Sequence, residues 1–317
     1  MGENIFFRSH LIFFYKKCSI TAGRLVKTSA GKILLIGTIK MKYTNLIVSA
    51  LVGCALLSSC AQTTKSMFGE DRNQFMLVSE QTINAQSAEE YKKVIADAKS
   101  KNKLDTTSNY SKRVNSISKK LIKVAPTLRE DCSSWQWEVN TIKDNTVNAW
   151  CMPGGKIVVY TGLIKELSLT DDEMAAIIGH EISHALKEHS REAMSKAMVQ
   201  SGVTSVAGLF GVSSTITDSA NAVYNATVAL PFSRDQESEA DKYGLELMYK
   251  AGFNPQGAVS VMKKMDAYEK KVTAASGAGN SKATSLLNSI TSTHPTSEKR
   301  YKDLQALIDK YGLKSEI

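Results

Sequence analysis

Across residues 170–187 the apolar positions Met174, Ile177, Ile178, Ile182, Ala185 and Leu186 recur every three or four residues. That period predicts a helix with a wide buried face. Thr170, with Glu173 three residues on, predicts a capping box, and Asp171, Asp172 and Glu173 suit the positive end of a helix. Upstream, residues 77–101 carry Ile83, Ala85, Tyr91, Val94 and Ile95 at helical spacing, and residues 110–124 form a second helical stretch ending near Pro126. Residues 135–139 alternate and predict a strand. Residues 148–160 predict a hairpin or small sheet turning at Pro153-Gly154-Gly155, with a short helix over 161–167. Further helices are predicted over 232–250, 254–270 and 297–311. The Gly/Ala/Ser/Val-rich residues 201–230 read as small-residue helices in the core, and 272–290 as a mobile loop. There is no internal repeat. The pattern defines an α+β class, mainly helical, with a small β-sheet beside the 170–187 helix.

The first 59 residues follow another logic. Residues 41–60 begin with a short basic stretch, continue as an apolar run from Leu46 to Leu57, and end in small residues. This predicts a secretory signal, since the run is too short to span a bilayer. Leu57-Ser58-Ser59-Cys60 resembles the lipobox of bacterial lipoproteins. The resemblance implies cleavage before Cys60, acylation of that cysteine and anchoring by lipid alone, on the periplasmic face of the outer membrane. An ordinary cleaved signal or a membrane helix are the alternatives. Residues 1–40 read as an over-extended start ahead of Met41, or as an unusually long signal. The expected organisation is therefore 1–59 as start and signal (41–59), 60–76 as lipidated cysteine and polar tether, and 77–317 as one domain.

This division changes the charge balance. The chain has 40 basic and 31 acidic residues, a net +9. Eight of the basic residues and one acidic residue fall within 1–59, which leaves the remainder at +2. The basicity is no argument for nucleic-acid binding. Of five cysteines, Cys132 and Cys151 remain beyond Cys60. In an oxidising compartment they can be bridged, or stand as two buried thiols.

The 170–187 helix carries the chemistry. His180-Glu181-Ile182-Ser183-His184 reads H-E-x-x-H, which places two imidazoles one above the other on one helix face. They can share one zinc ion, about 2.0–2.1 Å from each nitrogen. Glu181 is then placed to act as general base on a water. Two incidental core histidines would each need buried partners.

A catalytic zinc usually has three protein ligands. A histidine six residues past the second one is closed off, because that position is Ser190 and the glycine expected before it is Lys187. His189 reads as a polar helix residue off the ligand face. The other route takes a glutamate from a later helix. Glu237 and Asp241 share one face within 232–250, so Glu237 can bind the ion while Asp241 hydrogen-bonds a ligand histidine. A solvated acidic face is the alternative, though the flanking Leu230, Phe232, Leu245, Leu247 and Met248 favour burial.

On four stretches the chain resembles the gluzincin metalloendopeptidases of the CAAX-prenyl-protease and HtpX type, in their bacterial lipoprotein branch. These stretches are Asn148-Ala149 with Pro153-Gly154-Gly155, the H-E-x-x-H helix, Glu237-x-x-x-Asp241, and His294-Pro295 with Arg300. The resemblance implies a zincin-like metallopeptidase domain with one Zn2+ per chain. It makes His180, His184 and Glu237 ligands, Glu181 the base and Asp241 their acidic partner. It makes Asn148, Ala149, Gly154 and Gly155 a strand region that an extended substrate can join. His294 would stabilise the transition state or occupy the open position in a resting state; a loop histidine before a proline turn is the alternative. Arg300 would orient the site or simply belong to the last helix. The integral-membrane members carry several spanning helices, and this sequence shows none after its signal, which argues against prenylated substrates.

The function this implies is zinc-dependent hydrolysis of peptide bonds in unfolded or misassembled cell-envelope proteins. The implied partners are polypeptide substrates and the outer-membrane assembly machinery. A periplasmic chaperone or adaptor retaining the fold with little turnover is the first rival, and a structural, four-ligand zinc site the second.

Overall fold

The computed structural model describes residues 24–27, 33–36, 60–61, 64–69, 72–200, 232–277, 294 and 298–314. The expected signal at 41–59, the small-residue helices of 201–230 and most of the 272–290 loop lie outside the described residues. The chain divides into two units, 1–58 and 59–317. In the first, β1 (Arg24–Lys27) pairs antiparallel with β2 (Ile33–Ile36).

The second unit opens with β3 (Cys60–Ala61), where Cys60 pairs with Phe75 of β4 (Gln74–Phe75). Residues 64–69 and 72–76, within the expected tether, lie against the domain, as do 77 and 78 ahead of a helix that starts at Glu80 and not at 77. Phe68 is buried and meets Tyr311 edge-on at 4.9 Å, while Thr64 donates to the Tyr243 hydroxyl and Ser66 to Glu246. Backbone and side-chain hydrogen bonds hold this strap down, which is why its apolar pattern gives so little signal.

The rest runs α1 (Glu80–Ser100), β5 (Leu104–Asp105), α2 (Asn109–Val124), β6 (Glu138–Ile142), β7 (Ala149–Met152), β8 (Lys156–Tyr160), α3 (Thr161–Glu166), α4 (Asp171–Leu186), α5 (His189–Gln200), α6 (Arg234–Lys250), α7 (Gln256–Gly277) and α8 (Glu298–Tyr311). Strands β5 to β8 form one mixed sheet, in the order β5-β6-β8-β7, with β6 and β8 parallel. Edge strand β7 pairs antiparallel with β8, Ala149 opposite Val159. Alternation puts Ala149, Cys151, Ile157 and Val159 in the main core with α2, α4, α6 and α7, and Trp150, Met152 and Val158 in a second core with Tyr91 of α1.

The mainly helical α+β expectation holds, and most predicted helices appear within a residue or two. The strand predicted over 135–139 instead begins at Glu138. The tryptophans ahead of it are pinned outside the ladder. Trp135 lies under the Arg129 guanidinium, and Trp137 donates to the Cys132 carbonyl. Helix α7 continues to Gly277, six residues into the expected loop, with Val272 buried along it. Cys132 and Cys151 are separate buried thiols and not a disulfide. The Cys151 thiol is directed to the Met152 carbonyl, and burial pushes the Cys132 thiol up to about 11.

Candidate metal centre

Helix α4 is nearly all core, and its capping box forms as predicted: Thr170 accepts from Glu173 N–H, and Glu173 accepts from Thr170 N–H. The Glu173 carboxylate also receives Ser260 and Lys264 of α7, so the helix start is fixed from two sides. Helix α6 crosses α4 with almost no side chain between them. A Cβ on Gly244 would lie 2.8 Å from His180 N and 2.9 Å from its Cα, and one on Gly179 would lie 3.1 Å from Gly244 O. Glu237, Asp241 and Gly244 fall at i, i+4 and i+7, on one face of α6. Close approach at the glycine therefore delivers the two carboxylates to the H-E-x-x-H histidines.

Four of the chain's five histidines gather here. His180 Nε2 is 3.0 Å from His184 Nε2 and 3.3 Å from His294 Nδ1. Glu237 Oε1 is 2.9 Å from His294 Nδ1 and 3.4 Å from His184 Nε2, and Glu237 Oε2 is 3.5 Å from His180 Nε2. Ligands about 2.0–2.1 Å from a tetrahedral ion are separated by about 3.3 Å. These five separations, which involve both Glu237 oxygens, run from 2.9 to 3.5 Å, the range in which donors can share one ion. Three imidazoles and a carboxylate, all buried, form the set that could hold a metal ion. The nitrogen-rich, singly carboxylate donor set fits zinc chemistry better than an all-oxygen cation such as calcium or magnesium.

Behind these donors stands a buried ion pair. His180 Nδ1 is 3.0 Å from Asp241 Oδ1. Arg300 grips Asp241 through Nε and Nη2, at 2.7 and 2.6 Å, and reaches Glu237 Oε2 through Nη1 at 2.8 Å. Burial pushes the Glu237 carboxyl up, but the surrounding histidines outweigh it and hold the group far below the carboxylate range. Burial likewise works against His180, yet Asp241 and Glu237 keep its imidazole up at about 10. Burial lowers His184 well below the usual histidine range. Glu181, next to the donor set, is raised by burial, with His294 and His180 opposing; its Oε1 is 3.4 Å from His294 Nε2.

A cavity of about 50 Å³ adjoins Glu181 and His180, walled by Ile177, Leu245, Met262, Met265 and Tyr268. Asn148 and Ala149 border it. Gly154 and Gly155, assigned with them to the substrate strand, take positive φ of 78° and 81° in the turn beyond β7 and do not line the cavity. They shape the hairpin. Tyr160 N donates to Asn148 O, so alternation directs the main-chain groups of Ala149 and Cys151 away from β8. The Asn148 side chain accepts the Ala149 N–H at 2.9 Å.

His189 lies in a helix and outside the donor set, as its sequence position predicts, but its contact with His184 has no local sequence signature. His189 is fully buried and begins α5; it does not extend α4. Its Nδ1 is 2.8 Å from His184 Nδ1, and its Nε2 is 3.0 Å from Glu239 Oε2. Neither glycine nor proline marks the break before it.

A helix carrying H-E-x-x-H, a carboxylate delivered by a second helix and a mixed sheet with its edge strand at the cleft define a zincin-like metallopeptidase fold. The chain belongs to peptidase family M48, which matches residues 109–308. It is 32% identical over 185 residues to the mitochondrial metalloendopeptidase OMA1 of Schizosaccharomyces pombe, covering 58% of this chain and 50% of that protein. It is 28% identical over 228 residues to the metalloprotease YcaL of Escherichia coli, covering 69% and 85%. It is 23% identical over 166 residues to the beta-barrel assembly-enhancing protease of Yersinia pestis, covering 48% and 32%. The chain thus spans half or less of OMA1 and of the assembly-enhancing protease. Relatives of these different kinds fix the family without singling out its CAAX/HtpX or lipoprotein branch. No helix among the described residues is long and apolar enough to cross a membrane.

Proposed function

We propose that this chain is a zinc-dependent metalloendopeptidase. The observation that carries the reading is the convergence of His180, His184, Glu237 and His294, all buried and with donor atoms within 4.8 Å of one another, beside an acidic residue, Glu181, that is not part of the donor set. His180, His184 and Glu237 would hold the ion. When bound, the ion supplies Lewis acidity to an attacking water and to the scissile carbonyl. Glu181 takes the proton from the water and returns it to the leaving amine. Its burial favours this, since a carboxyl raised towards neutrality is a better proton acceptor and donor in turn. Asp241 and Arg300 hold His180 and Glu237 in place.

An extended polypeptide would add to the outer edge of β7, pairing with the main chain of Ala149 and Cys151 once the Asn148 side chain releases the Ala149 N–H. One substrate side chain would enter the apolar cavity behind Glu181. We further propose a cell-envelope setting, with Cys60 acylated and unfolded or misassembled envelope proteins as substrates. The lipobox-like residues support the setting, and the similarity to the beta-barrel assembly-enhancing protease supports a place beside outer-membrane assembly machinery.

A second reading is favoured by one observation: His294 completes a set of four donors, as in a closed structural site. Zinc content and casein cleavage by wild type and Glu181→Gln test the first reading. Stoichiometric zinc in both, with cleavage by wild type alone, is the expected result. Equal cleavage by both proteins would remove Glu181 as base. A zinc-loaded wild type that cleaves nothing and coordinates no hydroxamate would establish the closed site.

A further inference from the structure

A buried polar cluster lies on the opposite side of His184 from the donor set, and no step of peptide hydrolysis uses it. Helix α4 stops at Leu186, and Glu188 takes φ of 54°, a left-handed conformation that a non-glycine residue rarely adopts. The chain thereby turns and sets His189 at the start of α5, facing back onto His184 with the two Nδ1 atoms 2.8 Å apart. His189 Nε2 is 3.0 Å from Glu239 Oε2. Glu239 meets Arg72 of the N-terminal strap, Nη2 at 3.1 Å and Nε at 3.0 Å. Arg72 also binds both oxygens of Glu192 at 2.6 Å. The strap is fastened again where Gln74 donates to Lys187 O at 2.7 Å, and where Ser195 Oγ accepts Leu77 N at 2.9 Å.

Two imidazole nitrogens this close share a single proton: one ring donates and the other accepts. His184 faces the other donors through Nε2, so a bound ion takes the Nε2 lone pair. A neutral His184 then carries its proton on Nδ1 and donates it to His189 Nδ1. His189 must carry its own proton on Nε2, aimed at the Glu239 carboxylate. Every link is satisfied by that one arrangement, and the chain ends on a negative charge held by Arg72. Resting on the reading of His184 as a metal ligand, the geometry points to His189 and Glu239 as positioning residues that fix the tautomer and ring plane of His184, with Arg72 orienting the carboxylate. The N-terminal strap thereby belongs to the outer surroundings of the metal centre.

Zinc affinity of the full chain, measured by competition with a chromophoric chelator, tests this. His189→Phe keeps a ring against Phe232 but offers no acceptor, and should weaken binding about 10- to 100-fold. Glu239→Leu should weaken it in the same sense, and Glu239→Gln, which keeps an acceptor, by less. Nitrogen NMR on zinc-loaded wild type is independent of whether a variant folds: it should find the proton on Nδ1 of His184 and on Nε2 of His189. A proton on His189 Nδ1, or wild-type affinity in folded His189→Phe, overturns the inference alone. Wild-type protein that takes up no zinc sinks the metal reading and this inference with it.

Discussion

The two histidines of the H-E-x-x-H helix are supported in opposite ways. His180 rests directly on a carboxylate, Asp241, which a buried Arg300 clamps from α8. His184 rests on another imidazole, and its carboxylate, Glu239, is one ring further out and tied to an arginine whose side chain is 34% exposed. The first support is short, fully charged and enclosed. The second passes through a neutral ring to a carboxylate that meets the half-exposed Arg72, with the buried Lys187 ammonium 3.9 Å away. Similar backing of a metal ligand can thus be built with a direct carboxylate or through an intervening ring.

That contrast sets an order of expected effects. Asp241→Ala should be the most damaging, because it removes the two-pronged carboxylate partner of a buried guanidinium, Arg300. A loss of about 3–5 kcal/mol in denaturant unfolding is expected. Glu239→Leu should cost clearly less in the same measurement, since Arg72 keeps Glu192 and solvent, and the Lys187 ammonium is 3.9 Å from Glu239, beyond hydrogen-bonding distance. Equal losses would break the comparison. Gly244→Ala comes next: its Cβ would drive α6 off the His180 backbone, at about 1–3 kcal/mol. Thermal melts read that loss, and chelator competition should show weaker metal retention in the same variant.

The smallest effect is in protons. With no ion bound, Asp241 and Glu237 raise the folded pKa of His180 to about 10, above its unfolded value. The ion-free protein therefore holds this contribution in full below the ordinary histidine pKa and loses it as pH rises through about 10. A metal needs the neutral ring, so zinc uptake near pH 7.5 should release about one proton from this residue. Titration calorimetry in buffers of different ionisation enthalpy measures it. No proton release would mean that His180 is already neutral and that Asp241 supports it only as an acceptor.

The same contrast separates what could be read from the sequence from what could not. The His180 side was legible because each part has a local signature. The capping box Thr170/Glu173 starts α4, H-E-x-x-H lies within one helix, and Glu237 and Asp241 share a face four residues apart. The His184 side was not, because its parts meet only through tertiary structure. His189 turns back after a left-handed Glu188 in a stretch with no glycine or proline. Arg72 comes from a polar segment with no hydrophobic period, and its place depends on hydrogen bonds that sequence periodicity does not record. His294 was noticed for a family likeness, and its contact with Glu237 spans 57 residues of chain. The strand over 135–139 failed for a related reason: alternating tryptophans mimic a pleat, while cation and carbonyl contacts hold them outside it.

The bare crossing of α4 and α6 at Gly179 and Gly244 carries a consequence for how the protein lasts. Donors on either side of that crossing come from distant parts of the chain, so any occupant they share acts as a removable rivet between them. Whatever binds only the native form adds its mass-action term to the native form's free energy. A chelator would then act twice, silencing turnover and unfastening the scaffold, and metal supply would govern the protein's lifetime as well as its activity.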